Sequence, residues 1–199
     1  MLAITAFGSV PAGKILRRGG ALPGDELYVT GSIGDAALGL EVKLNKRLFS
    51  SAAAMFFDAR LHLPSPRLAF GAGLRGVAHA AMDVSDGLVQ DVSHIAAASG
   101  LRAILQVDSI PLSMAARQAL AEDSGLLSAM LGGGDDYELV FAAPPSAAAQ
   151  VKALSEMVGL NATMIGRLET GEGTVVLDAA GKPIELHHAG FQHFGDSVE

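Results

Sequence analysis

Two short acidic stretches hold the residue types best suited to chemistry in this sequence. In Ala81-Met82-Asp83-Val84-Ser85-Asp86-Gly87-Leu88 an apolar run ends in two carboxylates three residues apart around a serine. Hard divalent cations prefer oxygen ligands, and magnesium takes one or two carboxylates together with phosphates and water. At a strand-to-helix corner Asp83 would stand at the strand end and Ser85 or Asp86 would cap the helix, whose free amides and positive end attract phosphate oxygens. Magnesium would bridge carboxylates and phosphate. The residues alone also allow a plainer reading, in which Asp86 caps a helix and Asp83 is a solvated turn residue.

The second stretch, Gly132-Gly133-Gly134-Asp135-Asp136-Tyr137-Glu138-Leu139, places three glycines and two adjacent acids before a strand. Glycine permits close backbone approach or positive φ. Adjacent carboxylates repel, so Asp135 and Asp136 are easier to keep if one of them meets a cation or a donor; a tight turn with solvated acids is the alternative. Arg17 and Arg18 offer guanidinium groups that pair with polyphosphate in bidentate fashion, or simply a solvated basic pair. Phe191 and Phe194 flank Gln192 and His193 in a polar tail, where an aromatic stacks on a ligand or anchors the tail.

Other chemistries are disfavoured. Cysteine is absent, which removes disulfides, thiolate metal sites and cysteine nucleophiles. His62, His79, His94, His187, His188 and His193 show no compact zinc spacing. Gly8 to Lys14 approximates a phosphate-binding loop, but Ile15 stands where a hydroxyl must hold magnesium, and Pro11 removes an amide donor. Gly71, Gly73 and Gly76 match a dinucleotide fingerprint in letters only. A helical segment precedes them and a strand follows, so they read as a helix stop.

The elements that must position these residues alternate along the chain. Leu2 to Val10 and Glu26 to Thr30 read as strands; Ala36 to Asn45, Ser51 to Arg60 and Arg67 to Ala72 read as helices. The apolar run Gly76 to Met82, a helix from Asp86 to Ser99 and the strand Ala103 to Val107 then form a strand, turn, helix and strand. Helices over Pro111 to Glu122, Ser124 to Leu131 and Ser146 to Val158 follow, with strands at Tyr137 to Ala142, Thr163 to Leu168 and Thr174 to Leu177. The expected fold is a mixed sheet covered by helices, an α+β arrangement. At 199 residues the chain suits one domain with a small appendage. A net charge of −7 with 14 Lys and Arg argues against nucleic-acid wrapping. No uninterrupted apolar run is long enough to span a membrane, and the sequence reads as a cytoplasmic protein.

Taken in order, Arg18-Gly-Gly-Ala-Leu-Pro-Gly-Asp25, Tyr28-Val-Thr-Gly31, Gly34-Asp35, His62-Leu-Pro-Ser-Pro-Arg67, Asp83-Val-Ser-Asp-Gly-Leu88 with Asp91 and His94, Ile110-Pro-Leu112, Gly133-Gly-Asp-Asp-Tyr-Glu-Leu139 and Gly190-Phe-Gln-His-Phe194 resemble the C-terminal portion of the thiamine-monophosphate kinase family. Aminoimidazole ribonucleotide synthetase, selenophosphate synthetase and a hydrogenase-maturation protein are similar in fold and also use ATP. The resemblance implies the C-terminal domain of the aminoimidazole ribonucleotide synthetase-like fold over residues 21–199. Residues 1–20 would be a remnant strand and linker from an N-terminal domain that is not in the sequence.

It further implies ATP-dependent phosphorylation of thiamine monophosphate to thiamine diphosphate by a magnesium-requiring homodimer. Arg18 would contact the nucleotide, Ser85 its phosphates, Asp83 and Asp86 magnesium, and Asp135 and Phe191 the thiamine moiety. The family usually has Glu at Asp135, Tyr or Trp at Phe191 and Ser at Gly19. The chain alone is expected to bind metal nucleotide weakly without turnover. A non-catalytic binding or dimerisation module is the reading from a different class, and an NAD-binding enzyme a third.

Overall fold

The computed structural model describes residues 3–5 and 7–186. A run of β-formers makes strand β1 (Glu26–Thr30), followed by helices α1 (Asp35–Lys43) and α2 (Ser51–His62), the second capped by the Ser50 side chain. Helix α3 (Leu68–Gly73) leads through a turn to strand β2 (Ala80–Asp83), and helix α4 (Leu88–Ser99) returns the chain to strand β3 (Leu101–Gln106). Helices α5 (Met114–Glu122) and α6 (Leu126–Gly132) precede strand β4 (Leu139–Ala143). Helix α7 (Ala148–Val158) and strands β5 (Ala162–Thr170) and β6 (Thr174–Leu177) close the domain.

The six strands form one mixed sheet in the order β2-β4-β1-β5-β3-β6, with β3 and β6 parallel and the other neighbours antiparallel. Its central strands are buried on both faces, as their near-continuous apolar sequences require. Leu27, Val29, Val140 and Ala142 pack with Leu88, Val92 and Ile95 of α4. Tyr28, Phe141 and Ala143 point the other way, against Phe70 and Leu74 near α3 and Val151 and Leu154 of α7. Tyr28 and Phe141 are direct cross-strand partners whose rings stack at 5.3 Å. A third cluster, with Leu38, Phe57, Ala116 and Met130, joins α1, α2, α5 and α6.

Two expectations from sequence are corrected. Residues 3–5 and 7–10 form no strand; Ile4 and Phe7 are 84% and 96% exposed. An alternating run needs a neighbour to supply its hydrogen bonds, and the partner taken up beside edge strand β2 is the Arg17 carbonyl, which accepts from Ala81 N at 3.0 Å. Of the run Gly76 to Met82 only Ala80 onward is strand. Gly76 adopts φ +82°, and Val77 and Ala78 donate back to the Leu74 carbonyl as a turn after α3.

Beneath the 132–138 loop lies a layer of buried acids. Glu138 accepts from Thr30 Oγ1 at 2.7 Å, Arg60 Nη2 at 3.1 Å, and Arg67 Nε and Nη2 at 2.7 and 2.5 Å, tying β1, α2 and the start of α3 to β4. The Glu138 hydrogen bond holds the Arg67 guanidinium above its ordinary pKa. Asp136 accepts from the amides of Gly34 at 2.7 Å and Ala36 at 3.2 Å, satisfying donors at the start of α1 that the helix itself leaves open. Asp35 accepts from Ser32 and Ser113 hydroxyls, both at 2.6 Å.

Glu138→Ala would leave Arg67 without its buried counterion and Arg60 with only Asp35, at 3.6 Å, a loss of about 3–5 kcal/mol. The expected result is a urea midpoint well below wild type; an unchanged midpoint would contradict the clamp. Burial pushes Asp136 up to about 7, against the pull of the Gly34 and Ala36 amides. The unfolded carboxyl therefore ionises first, so this group lowers stability progressively as pH rises from about 4 to about 7, by on the order of a few kcal/mol. Denaturant titrations across that range should show Asp136→Asn to have a flatter pH dependence than wild type, whatever its absolute stability.

Candidate functional site

The strand-to-helix corner forms where β2 ends at Asp83 and α4 begins after Gly87. Val84 is buried, donates its amide to the Glu138 carbonyl at 2.8 Å and accepts from Tyr137 N at 2.9 Å. Asp135 N then donates to the Ser85 carbonyl at 3.0 Å, so the 83–87 and 132–138 loops are laced backbone to backbone. The glycines are needed for this approach. A Cβ at Gly134 would lie 2.0 Å from Ser85 O, and one at Gly87 2.5 Å from Gly132 O. Positive φ falls instead on Asp135 (69°) and Tyr137 (50°).

Neither Ser85 nor Asp86 caps α4. The N-cap is Gly87, at φ +119° with no side-chain bond, and Asp91 in the first turn reaches back to take the amides of Ser85 and Asp86 on Oδ2, at 2.9 and 3.1 Å. Burial pushes the Asp91 carboxyl up to about 6; the Asp86 and Asp83 charges add to this and the two amides oppose it. Tyr137 is raised by burial, by its charge contact and hydrogen bond with Asp135, and by Asp83 and Asp86. Asp83, Asp86, Asp91 and Asp135 thus share one field of negative charge. Among the described residues none of them forms an ion pair with Lys, Arg or His. An apolar groove of ≈ 540 Å³ opens beside Asp83, walled by Pro64, Pro66, Leu68, Leu139 and Tyr137.

The structure therefore brings together Asp83, Ser85, Asp86 and Asp135. Of the adjacent acid pair, Asp136 is the one that meets donors, and it is structural. Arg18 lies between Arg17, whose carbonyl accepts from Ala81 N two residues before Asp83, and Gly19, where a Cβ would meet Ala98 O at 2.6 Å. Gly20 and Ala21 donate to Ser99 Oγ at the end of α4. Among the described residues no hydrogen bond or ion pair joins the Arg18 side chain to the corner carboxylates. Phe191 lies outside the described residues. Sequence reasoning assigned no role to Asp91 or His94 beyond their place in the resemblance. Their i, i+3 spacing on a helix that starts at the corner, which puts them on one face, is the signal that would have found them.

No phosphate loop forms at Gly8 to Lys14, where no helix follows, and Gly71 and Gly73 sit inside α3, with Gly76 in the turn before β2. Thiamine-monophosphate kinase of Salmonella typhimurium is 38% identical over 188 residues, covering 94% of this chain and 58% of that protein. The crystal structure of thiamine-monophosphate kinase from Stenotrophomonas maltophilia superposes with a TM-score of 0.77 at 40% identity, covering 84% of this chain and 54% of the other. AaThiL complexed with AMPPCP and TMP gives a TM-score of 0.74 at 31% identity, covering 90% and 54%. The chain spans little more than half the length of these relatives. Residues 23–178 match the family described as AIR synthase related protein, C-terminal domain, and it is to this family that the chain belongs.

Proposed function

We propose that this chain supplies the magnesium- and ATP-binding corner of an enzyme that phosphorylates thiamine monophosphate to thiamine diphosphate. The observation that carries the proposal is the uncompensated acidic corner at a strand-to-helix turn, in a chain similar over most of its length to thiamine-monophosphate kinases. One relative of this fold, AaThiL, is complexed with AMPPCP and TMP. Asp83 and Asp86 make no side-chain hydrogen bond or ion pair among the described residues, and their all-oxygen donor set fits magnesium. Bound there, magnesium would neutralise charge on the phosphoryl group in transfer.

The chain's own residues do the rest. Asp91 fixes the loop by its bonds to the Ser85 and Asp86 amides, which holds the Ser85 hydroxyl where it can donate to a phosphate oxygen. Asp135 accepts from the exocyclic amine of the thiamine pyrimidine, and Phe191 stacks on its ring. Transfer between two polyanionic groups needs several cations for screening and alignment, and among the described residues no Lys or Arg pairs with the corner carboxylates, so the 199-residue chain binds nucleotide weakly without supporting turnover alone. The same reading makes the enzyme cytoplasmic and homodimeric.

Calorimetric titration of the chain with magnesium and ATP tests the site. Wild type is expected to bind in a magnesium-dependent manner, and Asp83→Asn to bind at least about tenfold more weakly, a loss of about 1.4 kcal/mol, with an unchanged circular dichroism spectrum because Asp83 is exposed. Equal binding by the two proteins, or binding indifferent to magnesium, would refute the assignment. Incubation with magnesium, ATP and thiamine monophosphate should yield no thiamine diphosphate from the purified chain, and detectable product would refute the prediction that the chain does not turn over alone.

A further inference from the structure

We propose that Asp86, Asp91 and His94 form a cation position that adjoins the magnesium site, shares Asp86 with it, and takes a divalent transition ion with the His94 imidazole as one ligand. It goes beyond the phosphoryl-transfer reading and requires no nucleotide. One ligand atom from each of the three residues lies within 4.8 Å of the other two. Yet His94 makes no hydrogen bond or ion pair with either carboxylate, or with any other described residue. The three groups converge without touching, which is the spacing of side chains around a common partner. Ligand atoms on one ion stand about 3–4 Å apart, so shifts of about an ångström in side chains close the shell.

The second observation is the state of Asp91. Its side chain is fully buried. Oδ2 is committed to the amides of Ser85 and Asp86, whereas Oδ1 has no hydrogen-bond partner among the described residues. A buried carboxylate oxygen without a donor is costly, and a metal bond at Oδ1 satisfies it without disturbing the loop held by Oδ2. Asp91 and His94, three residues apart on α4, share a helix face, and Asp86 approaches from the loop that Asp91 itself orders. Two carboxylates and one imidazole favour Mn²⁺, Fe²⁺ or Zn²⁺ over magnesium, which prefers oxygen alone.

The test is Mn²⁺ binding to the 199-residue chain in the absence of nucleotide, followed by calorimetry and by pulsed electron paramagnetic resonance, which detects ¹⁴N coupling from a bound imidazole. Wild type is expected to bind one Mn²⁺ with ¹⁴N coupling. His94→Ala should abolish the coupling and weaken binding at least tenfold, and Asp91→Asn should weaken binding to a similar degree. Asp83→Asn should keep the ¹⁴N coupling, which distinguishes an ion whose shell includes His94 from one that depends on Asp83. Absence of ¹⁴N coupling in wild type, or its persistence in His94→Ala, overturns the proposal. Should Asp91→Asn fail to fold, His94→Ala decides alone, since its half-buried side chain makes no hydrogen bond among the described residues.

Discussion

Backbone contact between the 83–87 and 132–138 loops leaves no space for a side chain at Gly134 or Gly87, whose added Cβ atoms would lie 2.0 and 2.5 Å from carbonyl oxygens of the opposing loop. Most of the domain's polar architecture follows from that approach. The loops close through Val84 N to Glu138 O, Tyr137 N to Val84 O and Asp135 N to Ser85 O, which extend the β2–β4 pairing beyond its last ladder residue. Carboxylates from both loops are then forced into one small volume. Their repulsion has to be opposed by the hydrogen bonds that hold the loops and by the apolar packing beneath them.

The acidic residues divide by the side of the sheet entrance they face. Asp136 and Glu138 point inward and are both hydrogen-bonded, one by the amides at the start of α1, the other by two guanidinium groups and a threonine hydroxyl. Asp135 and Tyr137 alternate with them and meet the corner, together with Asp83 and Asp86. Alternation thus separates a structural set from a chemical set within four consecutive residues. Compensated charge inside and uncompensated charge at an accessible corner is the pattern expected where binding, rather than stability, sets residue choice.

Much of this was legible in the sequence, for identifiable reasons. Glu26 to Thr30 and Thr174 to Leu177 fold as strands at the boundaries expected, because short β-branched runs bounded by turn residues leave few alternatives. The corner at Asp83 was readable because an apolar run met a helix-period segment across two acids and a glycine. What was not readable depended on contacts distant along the chain. Ser85 and Asp86 look like caps by their types, but the Asp91 carboxylate, six and five residues on, captures their amides. The segment that carries Arg18 is likewise placed by remote contacts, since Ser99, 78 residues beyond Ala21, accepts from the Ala21 amide and Ala81 donates to the Arg17 carbonyl. Leu2 to Val10 alternates as strands do, and no local pattern reports whether a neighbour exists to pair with it.

The position of Asp91 joins the fold to the chemistry of the corner. Because its Oδ2 orders the loop, any ligand that needs Ser85 and Asp86 in place depends on a residue inside the helix rather than on the loop's own preferences. Burial and the neighbouring carboxylates push Asp91 up to about 6, so this one buried carboxyl resists ionisation more than a solvated aspartate does. A cation reverses that resistance, since positive charge at Asp83, Asp86 or Asp91 favours the ionised form of every carboxylate around it. Ionised Asp91 is in turn the stronger acceptor for the Ser85 and Asp86 amides. Cation binding and loop order therefore reinforce each other through one buried carboxylate, and a ligand that binds only the ordered corner stabilises the whole domain by mass action.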